Sequence, residues 1–513
     1  MRRRADEGRD SDAAARERLG LAPQRRVRHR ILTPRGWATL LGGGATIALL
    51  ASVAIPVAVP MLARVSAGVA RGVARLDPTK STAAVPDALL ARVPFSAEVL
   101  DLERIGFSPS AAKESRDPFD SNASGGSADP SQRAAGVDPA GTPRFVEHVE
   151  APAGLAGPLR VEYALDATLT ERVYQVLRRA RVKRGHAVVL DVRSGRVLAY
   201  ASADPEALPP LGAYPAASLA KVVTTAASLE HNRRRALQPC LYRGDPYRLT
   251  KARVNPTRGG HEATLERALA RSYNQCFAQL AVHALGGQET QRAFQRFRWD
   301  ASPAPGHAAG LIERGEGDYG LGKLGSGLAP SRITALHAAL LAASLRTGEV
   351  VDPWWIDRVV DGNGHSLRLP PRAEPYRVME QATADELRRM LVLTTTSGTA
   401  RGAFRTRRGP RLGPVRVAGK TGNLSGTDPR ARYEWFTGVA PAQDPRVAVA
   451  VVQAHGHLWW KMSGQVAADI FAELFCEKRR CSDDRVGRFT GELGLDVAPR
   501  LLETTSRLRI PRN

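Results

Sequence analysis

Three short motifs in a fixed order constrain this chain more than any other feature of its sequence. Ser218-Leu219-Ala220-Lys221 is followed by Ser272-Tyr273-Asn274 and then by Lys420-Thr421-Gly422. A serine and a lysine three positions apart lie one turn apart on the same face of a helix. A serine hydroxyl needs an adjacent base to become a nucleophile, and a lysine can be that base only where burial or a second positive charge lowers its pKa. The pattern predicts a serine acyl-transfer site in which Lys420 supplies that second charge.

The first two motifs are predicted to lie at helix ends. Ser218 stands near the start of a helix, where free backbone amides and the helix dipole favour a developing negative charge. Its amide is therefore a candidate half of an oxyanion hole. Ser272 and Asn274 come at the end of a helix that begins near Leu265. If the chain turns sharply there, both side chains face one cleft, where Ser272 relays a proton to the leaving amine and Asn274 holds a substrate amide.

The third motif follows an alternating segment, Val415–Gly419, that is typical of a strand. On an edge strand, Gly422 would let a substrate backbone approach closely, while Thr421 donates to a carboxylate and Lys420 supplies positive potential. Each motif is ordinary by itself, and only the three together indicate an active site. Nothing in this chemistry requires a cofactor, and the sequence shows no metal-ligand spacing.

The coarse secondary structure predicts an α/β (α+β) fold with a five-stranded antiparallel sheet flanked by helices and a helical subdomain. Helix signals dominate between Ser218 and Leu345, with irregular breaks at 240–260 and 300–333. The strands before and after this block come as a hairpin and a group of three, which suits one antiparallel sheet. The segments are strands at Val161–Leu165, His186–Leu190, Arg196–Tyr200, Val415–Lys420, Tyr433–Val439 and Val447–Val452, and helices at Leu169–Ala180 and Gly464–Phe475.

One apolar run sets the predicted compartment. Residues 37–63 contain no charged side chain over 27 positions, which is long enough to cross a bilayer. Residues 1–36 carry eleven arginines against five acidic residues and favour a cytoplasmic N-terminus. A cleaved signal peptide is the alternative, but its apolar region is usually about 7–15 residues long. We expect a single-pass anchor in the inner (cytoplasmic) membrane, with the rest of the chain outside the cytoplasm, in the periplasm.

The remaining chain divides by composition. Residues 64–105 indicate an amphipathic juxtamembrane segment, and residues 106–158 a linker rich in Ser, Gly, Ala, Pro and Asp that buries too little apolar surface to fold. Residues 159–480 form the predicted catalytic domain, and residues 481–513 a tail without a readable motif.

The four cysteines suit an oxidising compartment without requiring it. Cys240 with Cys276 is a plausible bridge that brackets the approach to Ser272, and Cys476 with Cys481 could pair only where the last helix has already ended. Unpaired, partly buried thiols are the alternative. The segment His455-Gly456-His457 is interpreted as a loop after a strand rather than as a ligand pair.

The formal charge of +23 raises nucleic acid, an anionic membrane or an anionic polymer as partners. Solvated surface arginines are the simpler explanation. No zinc-finger spacing, basic-helix heptad or RNA-binding aromatic signature accompanies the charge, so we do not expect nucleic acid as a partner.

With these motifs on a helix, a helix end and a strand, residues 159–476 resemble the transpeptidase domain of penicillin-binding proteins. The segments around the motifs resemble that family as well, namely His186–Ser202, Ala263–Phe277, Gly327–Ser331 and Tyr433–Pro441. The resemblance implies a penicilloyl-serine-transferase fold of the β-lactamase and transpeptidase type. It implies attack on the D-alanyl-D-alanine of peptidoglycan stem peptides and covalent inhibition by β-lactams. Ser218 would be the acylated nucleophile and Lys221 its base, with Ser272, Asn274, Lys420, Thr421 and Gly422 in the other two motifs.

One position departs from the family pattern. After Lys-Thr-Gly the family usually shows threonine or serine, whereas this chain has Asn423. The backbone amide of Asn423 can still complete the oxyanion hole, but its side chain is bulkier than a hydroxyl. We expect altered recognition of the substrate carboxylate rather than lost acylation.

Several functions remain open within and beyond this family. A D,D-transpeptidase and a D,D-carboxypeptidase share the acyl-enzyme and differ only in whether an amine or water attacks it. A β-lactamase would need a positioned carboxylate for fast deacylation, and no clear candidate is present. A non-catalytic penicillin-binding scaffold or sensor is the alternative from another class. The family also implies cooperation with a membrane glycan polymerase, although no residue outside 37–63 points to one, and the short segment before residue 159 predicts a monofunctional chain that lacks a large pedestal module.

Overall fold

The computed structural model of the chain describes residues 83–86, 89, 92, 144–456, 459–478 and 480–490. The main strands are β1 (Arg144–Val149), β2 (Leu159–Asp166), β3 (Gly185–Asp191), β4 (Val197–Ser202), β5 (Ile356–Val360), β6 (Ala418–Thr427), β7 (Arg430–Ala440) and β8 (Val447–His455). The main helices are α1 (Ala167–Arg179), α2 (Ala220–His231), α3 (Leu265–Arg271), α4 (Asn274–Gln279), α5 (Gly286–Arg296), α6 (Gly317–Ser326), α7 (Ala335–Ala343), α8 (Gln381–Thr396) and α9 (Ser463–Phe475).

Short elements connect these main ones. Helical turns lie at Ala217–Leu219, Arg233–Ala236, Lys251–Val254, Leu280–Leu285, Arg401–Phe404, Asp483–Val486 and Gly487–Thr490. Short strand pairs join Tyr214–Pro215 to Arg332–Ile333, Cys240–Tyr242 to His261–Ala263, Glu349–Val350 to Tyr376–Arg377, Arg405–Thr406 to Gly409–Pro410, and Cys476–Glu477 to Arg480–Cys481.

A five-stranded antiparallel sheet in the order β6-β7-β8-β3-β4 forms the centre of the fold, as predicted. Strand β6, which carries the third motif, lies at one edge of this sheet. The predicted strand Val415–Lys420 is too early, because β6 begins at Ala418 and continues to Thr427. The third motif therefore lies inside the strand and not after it.

Both faces of the sheet are buried, which explains why β3 is apolar along nearly its whole length. Val188 and Leu190 belong to one hydrophobic core, together with residues of α2, α7 and α8. Ala187 and Val189 point to the other face and belong to a second core with α1 and α9. The described domain thus has a sheet between two helical layers, and the helix of the first motif lies on the first of these faces.

A smaller three-stranded sheet has the order β1-β2-β5. Its first strand corrects the predicted linker 106–158, because Phe145 and Val146 in β1 are buried and Tyr163 donates a 2.7 Å hydrogen bond to Glu147. Pairing with β2, which the composition of residues 144–149 does not reveal, orders this segment. Farther upstream, the amide of Val85 donates to the carbonyl of Arg368 at 3.0 Å. The folded domain therefore starts before residue 159.

The other predicted boundary also falls too early. Residues 480–490 belong to the fold, since Val486 and Phe489 are buried against the second core. Both candidate disulfides form, Cys240 with Cys276 and Cys476 with Cys481. As expected, the second pair comes directly after α9, which ends at Phe475.

The predicted N-terminal tail (residues 1–36), the anchor (37–63) and most of the juxtamembrane and linker segments lie outside the described residues. The same is true of His457 and of residues 491–513. Within the part of the chain that the structure covers, no helix has the length and apolarity needed to cross a membrane.

Candidate active site

The nucleophile candidate lies in a tight turn before α2. Ser218 occupies a single 3₁₀ turn, Ala217–Leu219, and Lys221 is on the first turn of α2 that follows directly. The two side chains meet as the spacing predicts, with 2.7 Å between Nζ of Lys221 and Oγ of Ser218. Ala217 has a left-handed backbone with φ of 51°, which is unusual for a residue other than glycine.

The surroundings of Lys221 suit an uncharged amine. Its Nζ lies 2.8 Å from Oδ1 of Asn274 and 2.5 Å from the carbonyl oxygen of Ser326, in addition to Ser218. The amide nitrogen of Asn274 donates to the carbonyl of Tyr247 at 2.7 Å, which fixes the amide with its oxygen toward Lys221. Both of those oxygens can only accept, so they take two N–H groups of Lys221. The remaining lone pair of a neutral amine then faces the hydroxyl of Ser218.

Electrostatics favour that neutral state. Lys221 is completely buried, and burial, followed by the positive charge of Lys420, holds the pKa of Lys221 well below its ordinary value. Lys420 is also fully buried, and burial lowers the pKa of Lys420 to about 7. Desolvation penalises a lone ammonium strongly, which is the physical reason for both shifts.

The second motif is placed by a sharp change of backbone direction between α3 and α4. Ser272 ends α3 in the left-handed conformation, with φ of 62°, and Asn274 begins α4 two residues later. Both side chains consequently reach the two buried lysines of the site. Oγ of Ser272 lies 3.0 Å from Nζ of Lys420, and Asn274 contacts Lys221. The disulfide between Cys240 and Cys276 fastens the segment that carries Tyr247 to α4.

The third motif brings its lysine to the second motif through an edge strand. Alternation along β6 directs Lys420 and Gly422 to the buried side and Thr421 and Asn423 to the other. Nζ of Lys420 also donates to the carbonyl of its neighbour Thr421 at 2.9 Å. On the opposite side, the hydroxyl of Thr421 is 2.6 Å from that of Thr399.

Gly422 makes a close packing contact inside the protein that the motif alone does not predict. A Cβ at this position would lie 3.2 Å from Cβ of Ala217 and 3.3 Å from the carbonyl of Ala216. These distances are tighter than ordinary van der Waals contact. The turn before Ser218 therefore packs closely against the strand at Gly422, while the approach of a substrate backbone along this strand stays a prediction.

The structure brings six of the eight predicted site residues into one connected network. One hydrogen-bonded pathway joins Ser218, Lys221 and Asn274, another joins Ser272, Lys420 and Thr421, and the charge of Lys420 links the two. Gly422 packs beneath the network. Asn423 is exposed on the other face of the strand, where its Oδ1 accepts a 2.7 Å hydrogen bond from Nε of Arg432.

Sequence reasoning missed several participants. The backbone carbonyls of Ser326 and Tyr247 could not be predicted as participants, because every residue has a carbonyl and the sequence does not show which one will accept a hydrogen bond. The string Gly327–Ser331 marks a segment of interest but not the role of Gly327, which has a left-handed backbone with φ of 70° and packs against the carbonyl of Ala217. Among the described residues, no group of three or more His, Cys, Asp or Glu side chains could hold a metal ion.

Taken together, the geometry is suited to serine acyl transfer. A buried amine with a lowered pKa reaches the hydroxyl of Ser218, and a second serine and lysine stand beside it. The class that this fold and site define is the active-serine acyl transferases that carry Ser-x-x-Lys on a helix and Lys-Thr-Gly on an edge strand. A family model of the penicillin binding protein transpeptidase domain matches residues 185–475, which is more than half of the chain. The chain belongs to this family.

Curated relatives are similar over part of their length. The peptidoglycan D,D-transpeptidase PbpA of Mycolicibacterium smegmatis is 27% identical over 256 residues, which are 47% of this chain and 50% of the relative. Stage V sporulation protein D of Bacillus subtilis is 25% identical over 325 residues, which are 56% of this chain and 48% of that protein. The chain thus spans about half the length of the curated relatives it matches.

Solved structures share the fold. Penicillin-binding protein A of Mycobacterium tuberculosis, in its ceftriaxone acyl-enzyme complex, superposes with a TM-score of 0.51 at 22% identity over 61% of this chain and 78% of that one. Penicillin-binding protein 3 of the same organism, complexed with aztreonam, gives a TM-score of 0.51 at 20% identity over 62% and 79% of the two chains.

Proposed function

We propose that this protein is a serine-type peptidoglycan D,D-transpeptidase that crosslinks stem peptides through an acyl-enzyme on Ser218. The observation that carries the proposal is the contact of 2.7 Å between Nζ of Lys221 and Oγ of Ser218, with the other N–H groups of that amine already engaged. The names of two relatives, PbpA as a D,D-transpeptidase and the acyl-enzyme complex of penicillin-binding protein A, support the same reaction class.

The first half of the reaction forms the acyl-enzyme. The neutral amine of Lys221 accepts the hydroxyl proton while Oγ of Ser218 forms a bond to the carbonyl carbon of the penultimate D-alanine. The backbone amides of Ser218 and Asn423 are the proposed donors to the resulting oxyanion. Collapse of the intermediate breaks the C–N bond, and the terminal D-alanine leaves as an amine after taking the proton that Lys221 had accepted. Ser272, whose hydroxyl lies 3.0 Å from Lys420, is the proposed relay for this proton.

The second half reverses these roles. An acceptor amine from another stem peptide attacks the ester carbonyl and gives a proton to Lys221. As the ester C–O bond breaks, Lys221 returns that proton to Oγ of Ser218. Water in place of that amine would give a D,D-carboxypeptidase, because the residues around Ser218 serve either nucleophile. A non-catalytic scaffold is a weaker alternative, since it would have no need for two fully buried lysines that destabilise the fold.

Location and partners are part of the proposal. Residues 37–63 would anchor the chain in the inner membrane with its catalytic domain on the periplasmic side, which the arginine-rich residues 1–36 support. Two disulfides in the folded domain also suit an oxidising compartment. Family membership supports β-lactams as covalent inhibitors and a membrane glycan polymerase as a partner.

The test combines labelling with product analysis. Fluorescent penicillin should label the wild type and not the Ser218→Ala or Lys221→Met variants, whereas Ser397→Ala, an exposed serine at the end of α8, should label normally. A stem peptide and an acceptor amine are then added to the wild type. A crosslinked dimer supports the proposal, release of D-alanine alone indicates a carboxypeptidase, and the absence of both label and product rejects the enzyme.

A further inference from the structure

The residue that departs from the family pattern is bonded to a cation on the neighbouring strand. Nε of Arg432 donates to Oδ1 of Asn423 at 2.7 Å, and Arg432 pairs across the strands with Ser425. Since side chains alternate along a strand, Thr421, Asn423 and Ser425 project from the same face of β6, and Arg432 adds its side chain to that face from β7. The guanidinium is therefore beside the strand that carries the third motif.

This face of the strand offers hydrogen-bond donors. Hydroxyls of Thr421 and Thr399 lie 2.6 Å apart, so one proton of the pair remains for a further acceptor. The amide nitrogen of Asn423 points away from the bond that its oxygen accepts. Arg432 donates to Asn423 only through Nε, so its two terminal nitrogens can donate to a ligand. None of the carboxylates that the structure describes forms an ion pair with Arg432.

One buried acidic group interacts with this positive charge without forming an ion pair with it. Glu434 lies on the same strand as Arg432 but is buried, and its Oε2 is 3.4 Å from Nε2 of His455. Burial raises the pKa of Glu434, which favours its neutral form, although His455 and, to a smaller extent, the charge of Arg432 oppose this shift. The exposed ring of Trp459 flanks the other side of Arg432, with its centroid 5.7 Å from the guanidinium carbon.

We propose that Arg432, held in position by Asn423, binds the carboxylate of the donor peptide or of a β-lactam and so determines specificity for an anionic ligand. This inference rests on the function proposed above and names a recognition residue for it. A guanidinium is planar, always charged and able to meet a carboxylate with two parallel N–H groups. In this chain, Arg432 held by the side chain of Asn423 would thus bind the carboxylate that the family usually binds with a hydroxyl.

Benzylpenicillin and its methyl ester test the inference, because the two differ only in the carboxylate. The quantity measured is the ratio of their acylation rates on intact protein, by mass spectrometry. In Arg432→Met the ratio of acid to ester should fall at least about tenfold, as expected for loss of a charge-assisted hydrogen bond. Arg432→Lys keeps the positive charge but lacks the two parallel N–H groups of a guanidinium, and should give an intermediate ratio. Arg430→Met, an exposed arginine at the start of the same strand, should keep the wild-type ratio.

The outcomes separate this inference from the proposed function. If the wild type is acylated by both probes and Arg432→Met keeps the wild-type ratio, Arg432 does not recognise the carboxylate and the inference is wrong. The same conclusion follows if Arg430→Met changes the ratio as much as Arg432→Met does. If neither probe acylates wild-type Ser218, the proposed function fails and the inference falls with it. Because each variant is compared with itself on two probes, partial misfolding alone leaves the ratio unchanged.

Discussion

The glycine behind the nucleophile gives the sharpest test of the site geometry. Gly327 has a φ of 70°, and a Cβ added there would lie 2.1 Å from the carbonyl oxygen of Ala217 and 3.0 Å from Cα of Ser218. Gly327→Ala should therefore push the turn of Ser218 by about 1 Å before ordinary contact is restored. A misplacement of about 1 Å at a reacting group can lower a rate on the order of a hundredfold.

The stability change follows from the same contacts. A left-handed alanine costs roughly 1–2 kcal/mol, and overpacking adds about 1–3 kcal/mol, so the free energy of unfolding of Gly327→Ala should fall by about 2–5 kcal/mol. Gly364→Ala is the matched control, because Gly364 has a φ of 84° but no atom within 4 Å of the added Cβ. It should lose only the backbone contribution of roughly 1–2 kcal/mol and should acylate normally.

Two measurements on each variant test whether the added methyl group displaces the turn of Ser218. Urea unfolding gives the free energy, and the second-order rate of labelling by fluorescent penicillin gives the acylation, both under conditions where the variant is folded. Wild-type labelling by Gly327→Ala would refute the reasoning, since it would mean that the turn accommodates the new methyl group without moving Ser218. Equal losses of stability in the two variants would refute the role of the clash.

Two further predictions concern charge and covalent structure. In Lys420→Met, loss of the neighbouring positive charge favours protonated Lys221, so the pKa of Lys221 should rise. The acid limb of the pH profile of acylation should then move to higher pH. If this limb stays at the wild-type pH, Lys420 does not lower the pKa of the base. Replacing both Cys240 and Cys276 by serine should lower the free energy of unfolding by about 4 kcal/mol, because this bridge closes a separation of 36 residues. The same change at Cys476 and Cys481, which are separated by 5, should lower it by about 2 kcal/mol. Urea unfolding measures both values, and similar losses would contradict the loop-entropy explanation.

The parts of the fold that sequence alone predicted are those with local signals. The hairpin of β3 and β4, the strands β7 and β8, and helix α9 have apolar runs bounded by turn residues, and each lies within a few residues of its predicted position. The contact between Ser218 and Lys221 follows from helix geometry alone. These features depend on neighbours in the chain, which a sequence shows directly.

The features that were missed depend on distant parts of the chain. Helix α6 contains four glycines, and this composition predicted an irregular break. The residues of strand β1 were predicted to belong to a linker, because they become ordered through pairing with β2 and not through a local signal. The interaction of Asn423 with Arg432 crosses two strands whose register no motif specifies. In each case tertiary packing outweighs the local preference.

The two buried lysines have a consequence for how this protein can evolve. Lys221 and Lys420 are fully enclosed, and a buried amine makes the folded state less favourable than an apolar side chain of similar size would, because it either gives up its proton or loses the solvation of its charge. Replacement of either lysine by methionine would therefore remove this penalty while it removes the reactivity. Screens that select only for heat resistance should drift toward inactive variants at these positions, so thermostabilised forms need activity as a simultaneous criterion.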